Sequence, residues 1–334
     1  MDLIQFKKLF EQEPKYRLEQ AEKALFKDLI QNWQEAGVLP LNLREELNKK
    51  CPIEIPAKIF VSEDENTIKA LIVLKDGLKI ETVLMRHKDK RNTVCVSSQV
   101  GCPLNCSFCA TGKMGFKRNL EAWEIIEQIL FFARYLKKIK EKITNIVFMG
   151  MGEPFLNYQN VMEAIKILND EKRFNLGARH FSISTIGITE GIEKLAEEKL
   201  QINLAISLHA PDDELRLKLA PTNKKYPIGK ILNAVDGYIK KTRRRVMFEY
   251  TMIKDTNDSE NQAKQLAKLM KKNLYFVNLI SCNPTENLKP SPPSKIKKFK
   301  EILEKEKVAV TQRYRFGQDI KGACGQLAAE NADF

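Results

Sequence analysis

Three cysteines lie close together in the chain and could act jointly as metal ligands. Cys102, Cys106 and Cys109 follow a Cys-x3-Cys-x2-Cys spacing within the segment Gly101–Gly112. Three thiolates on one short loop can bind three corners of an iron–sulfur cube, which leaves the fourth iron without a protein ligand and open to chemistry. Electron-transfer clusters usually take four cysteines, so a set of three favours a catalytic cluster. The alternative is a zinc site that a distant fourth ligand completes.

Other polar residues lie where predicted strands end. Glu153 lies in the glycine-rich segment Met149–Pro154, where its carboxylate could bind an ammonium group and the glycines would let a ligand approach the backbone. Ser184, the run Ser207-Leu208-His209 and Asn283 follow later strands. Each alone could be an ordinary loop residue, but parallel strands bring their carboxyl ends to one edge of a sheet. Together they predict a ligand site at the edge that carries the three-cysteine loop.

From about residue 92 onward, strand-like runs alternate with helical stretches, which predicts an α/β fold with a parallel sheet, open or curled into a partial barrel. The clearest helix has an apolar face that contains Ile125, Ile126 and Ile129. The three-cysteine loop follows the first predicted strand. The predicted strands are Thr93–Ser97, Asn145–Met149, Phe181–Ile186, Ile202–Leu208, Val246–Ile253 and Tyr275–Ile280.

The chain before this alternation has a different character. Leu18, Ala21, Leu25 and Leu29 recur at helical spacing, so residues 1–50 are predicted to form a small helical accessory domain. Residues 51–90 are predicted to form a short β segment with three strands, the last two joined by a hairpin turn at Asp76-Gly77. Residues 91–334 would then be the core that carries the site.

Composition limits the class of protein. The chain has 334 residues, 43% of them hydrophobic, and no apolar run near the ~18 residues of a membrane span. The N-terminal residues do not resemble a signal peptide, and seven cysteines are too few for a disulfide framework, so we expect a cytoplasmic protein. The net charge of +13 favours a polyanionic partner such as RNA, although a merely soluble basic protein is the alternative. Candidate RNA contacts are the basic clusters Lys240–Arg245 and Lys295–Lys300.

Two further cysteines have informative neighbours. A lone cysteine is usually a small buried hydrophobe, which is the interpretation for Cys51 and Cys282. Cys95 and Cys324 instead belong to a series of motifs that resembles the radical SAM RNA adenine methyltransferase family of RlmN and Cfr. The resemblance is specific because six motifs occur in the same order over nearly the whole chain. They are Arg91–Cys102, Thr111–Leu120, Phe148–Pro154, Ser182–Thr185, Ala205–Pro211 and Ala323–Leu327.

The resemblance implies a partial (β/α)6 radical SAM barrel and two cofactors. A 4Fe-4S cluster would be bound by Cys102, Cys106 and Cys109, and its open iron would chelate S-adenosylmethionine (SAM). The residues that match the SAM-binding positions of the family are Gly152, Glu153, Ser184, Ser207, Leu208, His209 and Asn283.

The resemblance also implies a two-stage methyl transfer that uses two SAM molecules. A first SAM methylates Cys324, and a second is cleaved to a 5′-deoxyadenosyl radical that removes a hydrogen atom from this methyl group. The resulting methylene radical adds to the adenine ring. Cys95 then removes the ring proton and forms a disulfide with Cys324, which releases the product. Glu81 matches a family glutamate that is sometimes assigned as a proton acceptor; the alternative is an ordinary strand glutamate.

The substrates implied are an adenosine in the peptidyl-transferase region of 23S rRNA and an adenosine beside the tRNA anticodon. The segments Gly112–Leu120 and Gly152–Asn157 favour methylation of carbon 2, whereas Phe316-Gly317 is closer to relatives that methylate carbon 8. Cys282 departs from the family pattern, because relatives often carry an aromatic residue before Asn-Pro. The expected partners are these RNAs and an electron donor such as flavodoxin, and the enzyme is expected to be a monomer. The alternative from another class is a non-catalytic, metal-stabilised RNA-binding protein.

Overall fold

The computed structural model describes residues 3–284, 288–313 and 316–329. Within them the helices and strands are regular enough to be numbered in chain order. The α-helices are α1 Leu3–Lys8, α2 Lys15–Phe26, α3 Leu41–Lys50, α4 Ala110–Lys113, α5 Ala122–Lys138, α6 Tyr158–Asn169, α7 Thr189–Glu197, α8 Asp213–Leu219, α9 Ile228–Thr242, α10 Glu260–Met270 and α11 Pro293–Lys305. The strands are β1 Ala57–Val61, β2 Thr67–Val73, β3 Lys79–Arg86, β4 Asn92–Cys95, β5 Gln99–Gly101, β6 Phe116–Asn119, β7 Asn145–Phe148, β8 Phe181–Thr185, β9 Asn203–Ser207, β10 Val246–Met252, β11 Tyr275–Ser281 and β12 Val310–Gln312.

One mixed sheet organises the fold. Its strand order is β1-β2-β3-β4-β7-β8-β9-β10-β11-β12. The pairs from β1 to β4 are antiparallel, and every pair from β4 to β12 is parallel. The predicted α/β class with six strand–helix alternations is therefore confirmed, and each predicted strand agrees with an observed one within two residues at either end. The short β segment is continuous with the barrel sheet, because β3 pairs with β4.

The helices cover this sheet with apolar faces. In α5, Ile125, Ile126 and Ile129 are fully buried, as the periodicity predicts. The helix begins with a capping box between Glu121 and Glu124. Its one fully buried polar residue, Gln128, accepts a hydrogen bond from the Ser97 amide at 2.8 Å and donates to the Ser97 carbonyl at 3.0 Å. This pairing ties α5 to the chain just after β4, immediately before the cysteine loop.

A small hairpin that the sequence did not indicate supports the cysteine loop. β5 and β6 pair antiparallel on either side of the loop. Gly101 has φ +74°, and a Cβ at this position would collide with the Gly115 carbonyl oxygen. Only glycine allows the two strands to approach this closely. The predicted turn at Asp76-Gly77 is confirmed, with φ +80° at Gly77.

The helices that precede the sheet pack onto the same core. Trp33 is fully buried, and its indole nitrogen donates to the Cys51 carbonyl at 2.7 Å. Cys51 and Cys282 are both buried, as expected for small apolar side chains. The division into domains at residues 50 and 90 stays a prediction. In the part of the chain that the structure describes, no helix is long and apolar enough to cross a membrane.

Candidate active site

The carboxyl ends of the parallel strands surround a cavity with an empty volume of about 1040 Å³. A second cavity of about 560 Å³ adjoins it, and Cys95 lies in its wall. Met149, Arg313 and Cys324 are among the residues that line both. Most residues predicted from sequence therefore meet in one place. Those that line the larger cavity are Cys102, Cys106, Cys109, Gly152, Glu153, Ser184, Ser207, His209, Asn283 and Cys324.

The cysteine loop is held both by hydrogen bonds of its own backbone and by hydrogen bonds to distant segments. The Cys109 amide donates to the Cys106 carbonyl at 3.1 Å, and the Cys102 amide donates to the Gly115 carbonyl at 3.2 Å. Between Cys106 and Cys109, the Ser107 amide donates to the Leu219 carbonyl at 2.9 Å, at the end of α8. The loop thus presents three thiols to one cavity from a short, fixed segment.

The chemistry of these thiols fits a cluster better than free cysteines. Burial raises the pKa of Cys102 to about 12, and it also raises the pKa of Cys106. Buried thiolates need a bound cation as compensation, which a metal cluster supplies. Among the described residues, no three His, Cys, Asp or Glu side chains are arranged to hold a single ion. An iron–sulfur cube differs from such a site because each thiolate binds a different iron.

Glu153 is a buried carboxylate in the wall of the same cavity. One carboxylate oxygen accepts the Phe155 amide at 3.0 Å, and the other accepts the Ile186 amide at 2.9 Å. Burial raises the pKa of this carboxyl to about 7, despite these hydrogen bonds. Next to it, Gly152 has φ +95°, and a Cβ would lie 2.5 Å from Cβ of Gln99. A ligand cation in the cavity would stabilise the charged form of Glu153.

Glu249 is a site residue that sequence reasoning missed. It is 4% exposed on β10 and lines the larger cavity. Its carboxylate accepts hydrogen bonds from Ser184 Oγ at 2.7 Å and Ser207 Oγ at 3.4 Å, so it joins the ends of three strands. The available signal was a single charged residue inside the mainly apolar strand Val246–Met252. A buried charge is unusual enough to indicate a site.

Arg313 is the second missed residue, and it stands between the two cavities. Its guanidinium lies 3.5 Å from the Glu249 carboxylate and 3.8 Å from Met149 Sδ. Cys324 and Glu249 raise the pKa of Arg313, and Arg313 in turn lowers that of the buried Cys95. Burial outweighs this and raises the pKa of Cys95 to about 12. The arginine is therefore the local positive charge beside the two thiols.

The run Ser207-Leu208-His209 leaves β9 with its polar and apolar members pointing apart. Leu208 packs into the core and does not line the cavity, although its amide donates to the Glu249 carbonyl at 3.0 Å. His209 has φ +60°, accepts the Thr251 amide on Nδ1 at 3.1 Å and packs edge-on against Phe108, with centroids 4.5 Å apart. Burial lowers the pKa of His209 to about 3, so the ring is neutral.

Arg216, on α8, is a buried residue that sequence reasoning also missed. It is 0% exposed, and its guanidinium donates to carbonyls of Leu208 at 3.2 Å and Tyr226 at 3.0 Å. It also donates to the Ile186 carbonyl and, at 2.7 Å, to the side chain of Asn223. The side chain thus joins the segments after β8 and β9 from beneath the cavity.

Glu81 and Asn283 differ in their relation to the cavities. Asn283 lines both, and its side-chain amide donates to the Cys324 carbonyl at 2.8 Å. Glu81 lines neither cavity. It is 4% exposed and contacts the backbone that follows Cys324. The structure therefore does not bring Glu81 together with the other predicted site residues.

A partial barrel with a three-thiol loop at the carboxyl edge of its first parallel strand defines a class of protein. Residues 96–270 match the family model described as the radical SAM superfamily. Members of this superfamily use a 4Fe-4S cluster and SAM. Over 97% of this chain and 96% of the other, the fold matches the crystal structure of a radical SAM methyltransferase from Sphaerobacter thermophilus, with a TM-score of 0.94 and 43% identity.

Curated relatives narrow the class further. The chain is 48% identical over 320 residues to a probable dual-specificity RNA methyltransferase RlmN of Dictyoglomus turgidum, which covers 95% of this chain and 91% of the relative. It is 45% identical over 326 residues to the ribosomal RNA large subunit methyltransferase N of Nitrosopumilus maritimus, with 95% and 93% covered. The chain belongs to the RlmN family of radical SAM RNA methyltransferases.

Proposed function

We propose that this enzyme methylates carbon 2 of an adenosine in 23S rRNA and in tRNA, with Cys324 as the methyl carrier. The observation that carries this proposal is the position of Cys324 in the shared wall of two cavities. One cavity contains the three-cysteine loop, and the other contains Cys95. A thiol at this junction can accept a methyl group on one side and be attacked by a second thiol on the other.

The larger cavity has the residues needed to hold both cofactors. Cys102, Cys106 and Cys109 would ligate the cluster, and the Glu153 carboxylate would accept hydrogen bonds from the amino group of SAM. Gly152, Ser184, Ser207, His209 and Asn283 line the same cavity. The amides of Leu208 and His209 donate to the Glu249 carbonyl, so these two residues would also help to fix the backbone around SAM. When bound, the reduced cluster supplies the electron that cleaves SAM and so generates a radical able to remove hydrogen from a methyl group.

Two thiols of the chain then divide the remaining work. The Cys324 thiolate takes a methyl group from one SAM, which leaves as S-adenosylhomocysteine. After the second SAM has served to remove a hydrogen atom, the S–CH2 carbon bonds to carbon 2 of the base. Loss of the ring proton to the Cys95 thiolate and of one electron, for which the oxidised cluster would be the acceptor, would leave the base joined to Cys324 as a thioether.

The release step is a thiol–disulfide reaction. The Cys95 sulfur, again a thiolate after it has passed its proton on, attacks the Cys324 sulfur and forms an S–S bond. The C–S bond breaks, and its electron pair goes to the CH2 carbon, which takes up a proton and becomes the methyl group. A dithiol reductant restores both thiols. A flavodoxin-type protein is the expected one-electron donor to the cluster.

The exposed basic charge of the chain supports RNA as the substrate. A net charge of +13 favours binding to phosphates, and unstacking of the target base would bring it to the second cavity. The Lys240–Arg245 cluster precedes β10, at the edge opposite the cysteines, and Lys295 is paired with Asp255 at 2.9 Å. Both clusters stay predictions as RNA contacts. We expect the enzyme to act in the cytoplasm as a monomer.

Carbon 8 of the same adenosine is the second candidate. Phe316 lines the second cavity and packs edge-on against His87, with centroids 4.9 Å apart. Aromatic side chains of this kind stack on RNA bases, and the segment Phe316-Gly317 is closer to that of carbon-8 enzymes. The relatives are methyltransferases, so the non-catalytic interpretation is not retained.

The deciding experiment is anaerobic turnover of the cluster-loaded enzyme with SAM, reductant and unmodified 23S rRNA or tRNA. Mass spectrometry of the digested nucleosides then identifies the product, with Cys324→Ala as the matched control. A 2-methyladenosine peak that is absent from the control supports the proposal. An 8-methyladenosine peak replaces it with the second candidate. The absence of both products with both RNAs would refute the substrate assignment.

A further inference from the structure

Glu81 is a buried carboxylate whose two oxygens are both occupied. Oε1 lies 2.8 Å from Lys69 Nζ, and both side chains are less than 10% exposed. Oε2 accepts the backbone amides of Ala328 at 2.9 Å and Ala329 at 3.2 Å. Each polar group of the pair thus has a partner, which is the condition under which buried charges are tolerated.

These contacts direct Glu81 toward the chain and away from the chemistry. Glu81 lines neither of the two cavities, whereas Cys95 and Cys324 do. To accept a proton from a base in the second cavity, the carboxylate would have to give up Lys69 or the two amides. Leaving a buried ammonium without its partner is strongly unfavourable, because the charge stays out of water with nothing to compensate it.

The backbone that Glu81 holds begins four residues after Cys324 and is anchored at several points. Thr111 Oγ1 donates to the Leu327 carbonyl at 2.6 Å, and the Ala110 amide donates to the Gly325 carbonyl at 2.8 Å. Asn283 holds the Cys324 carbonyl itself. Apart from Glu81, these anchors come from the cysteine loop and from the segment after β11. Glu81 on β3 is the anchor at the far end of the segment.

We propose that Lys69 and Glu81 form a positioning pair that anchors the segment Cys324–Ala329 and so holds the Cys324 sulfur between the two cavities. In this role Glu81 is not the proton acceptor of the reaction, and Lys69 is as important as Glu81. The inference rests on the proposed function in one respect, namely that Cys324 carries the methyl group. The anchoring itself is independent of that chemistry.

Lys69 supports the carboxylate from within the hairpin. It lies on β2, next to β3, and its ammonium also stands 5.0 Å from the centre of the Phe60 ring on β1. Neighbouring strands therefore fix the lysine, and the lysine fixes the orientation of the carboxylate. This arrangement explains why a Lys–Glu pair lies inside a sheet where uncharged residues would usually pack.

Hydrogen exchange of the cluster-loaded enzyme tests the anchor directly. We expect Glu81→Gln and Lys69→Met each to speed amide exchange in residues 325–329 by about tenfold or more. Glu81→Gln removes the charged acceptor of the two amides, and Lys69→Met removes the cation that orients and compensates the buried carboxylate. The double variant should add little to either single change, and Lys69→Arg should stay close to the parent. Glu141→Gln is the matched control, because it breaks the 2.9 Å ion pair between Glu141 and Arg86 on β3. It should leave the exchange rates of residues 325–329 unchanged.

Methylation of Cys324, followed by peptide mass spectrometry, separates positioning from proton transfer. A misplaced sulfur should slow the first methyl transfer in both Glu81→Gln and Lys69→Met. A proton acceptor would leave this step at the parental rate in Glu81→Gln and let an RNA adduct accumulate on Cys324. Unchanged exchange in both variants, or accumulation of that adduct with normal exchange, overturns the proposal. If the parent never methylates Cys324, the proposed function fails while the exchange data still decide the anchor.

Discussion

The cysteine loop and the C-terminal segment meet in one cavity, but they are held there in different ways. Hydrogen bonds between neighbours such as Cys106 and Cys109 shape the loop, and others join it to distant residues such as Leu219. The segment after Cys324 is held by residues remote in sequence, and Glu81 and Ala328 are 247 positions apart. The thiol spacing on the cofactor side is therefore encoded locally, although distant residues also help to place the loop, whereas the methyl-carrying side depends almost wholly on the completed sheet.

The largest expected effect separates these two regions by function. Cys106→Ala should abolish the iron–sulfur absorbance and all methylation, because one corner of the cube loses its ligand. Cys324→Ala should keep the absorbance and lose methylation as completely. Visible spectra, iron analysis and nucleoside mass spectrometry measure both. A Cys324→Ala protein that still methylates RNA would show that the two regions do not divide the work in this way.

A related comparison concerns Cys95, the thiol opposite Cys324. Cys95→Ala should retain the cluster and trap the RNA on Cys324, because no thiolate attacks the thioether. Denaturing gel electrophoresis with labelled RNA detects the adduct. The double variant Cys95→Ala/Cys324→Ala is the control and should give none. An adduct that persists in this control would come from another residue and would contradict the roles of the two thiols.

The contrast also explains which features were predictable. The loop motif, the strands and the Asp76-Gly77 turn depend on short-range patterns, so the sequence was sufficient to identify them. Glu249 left only a weak signal in the sequence, and its pairing with Arg313 became visible only when β10 and the chain after β12 were placed side by side. Glu81 shows the same limit of sequence patterns. Its resemblance to a family glutamate predicted a role in proton transfer, whereas in the structure it contacts the distant backbone of Ala328.

Arg216 tests whether the cofactor side of the site also depends on a residue outside the cysteine loop. Arg216→Met should destabilise the protein by roughly 3 kcal/mol, because several buried carbonyls after β8 and β9 lose their donor. Urea unfolding of the apo-protein measures this, and Lys218→Met on the exposed face of α8 is the matched control. A change in the free energy of unfolding below ~1 kcal/mol would mean that the segments after β8 and β9 do not depend on Arg216.

Glu153 makes the cofactor side sensitive to pH. Burial raises its pKa to about 7 in the folded protein, from an ordinary value of 4.5, so the unfolded state binds fewer protons between these values. The stability of the ligand-free protein should therefore fall as pH rises from about 4.5 to 7, by about 3 kcal/mol relative to Glu153→Gln. Denaturant unfolding of both proteins across this range measures the difference. Parallel curves would show that Glu153 titrates normally.

Arg313 should give the smallest effect, and it lies where the two regions touch. Its positive charge lowers the pKa of Cys95, so Arg313→Met should raise that pKa further above its already elevated value. At fixed pH the thiolate fraction falls, so alkylation of Cys95 in the apo-protein should slow several-fold. Arg313→Lys keeps the charge and should restore most of the rate. An unchanged rate in Arg313→Met would mean that burial alone sets the reactivity of Cys95, and that the two regions share a cavity without sharing a charge.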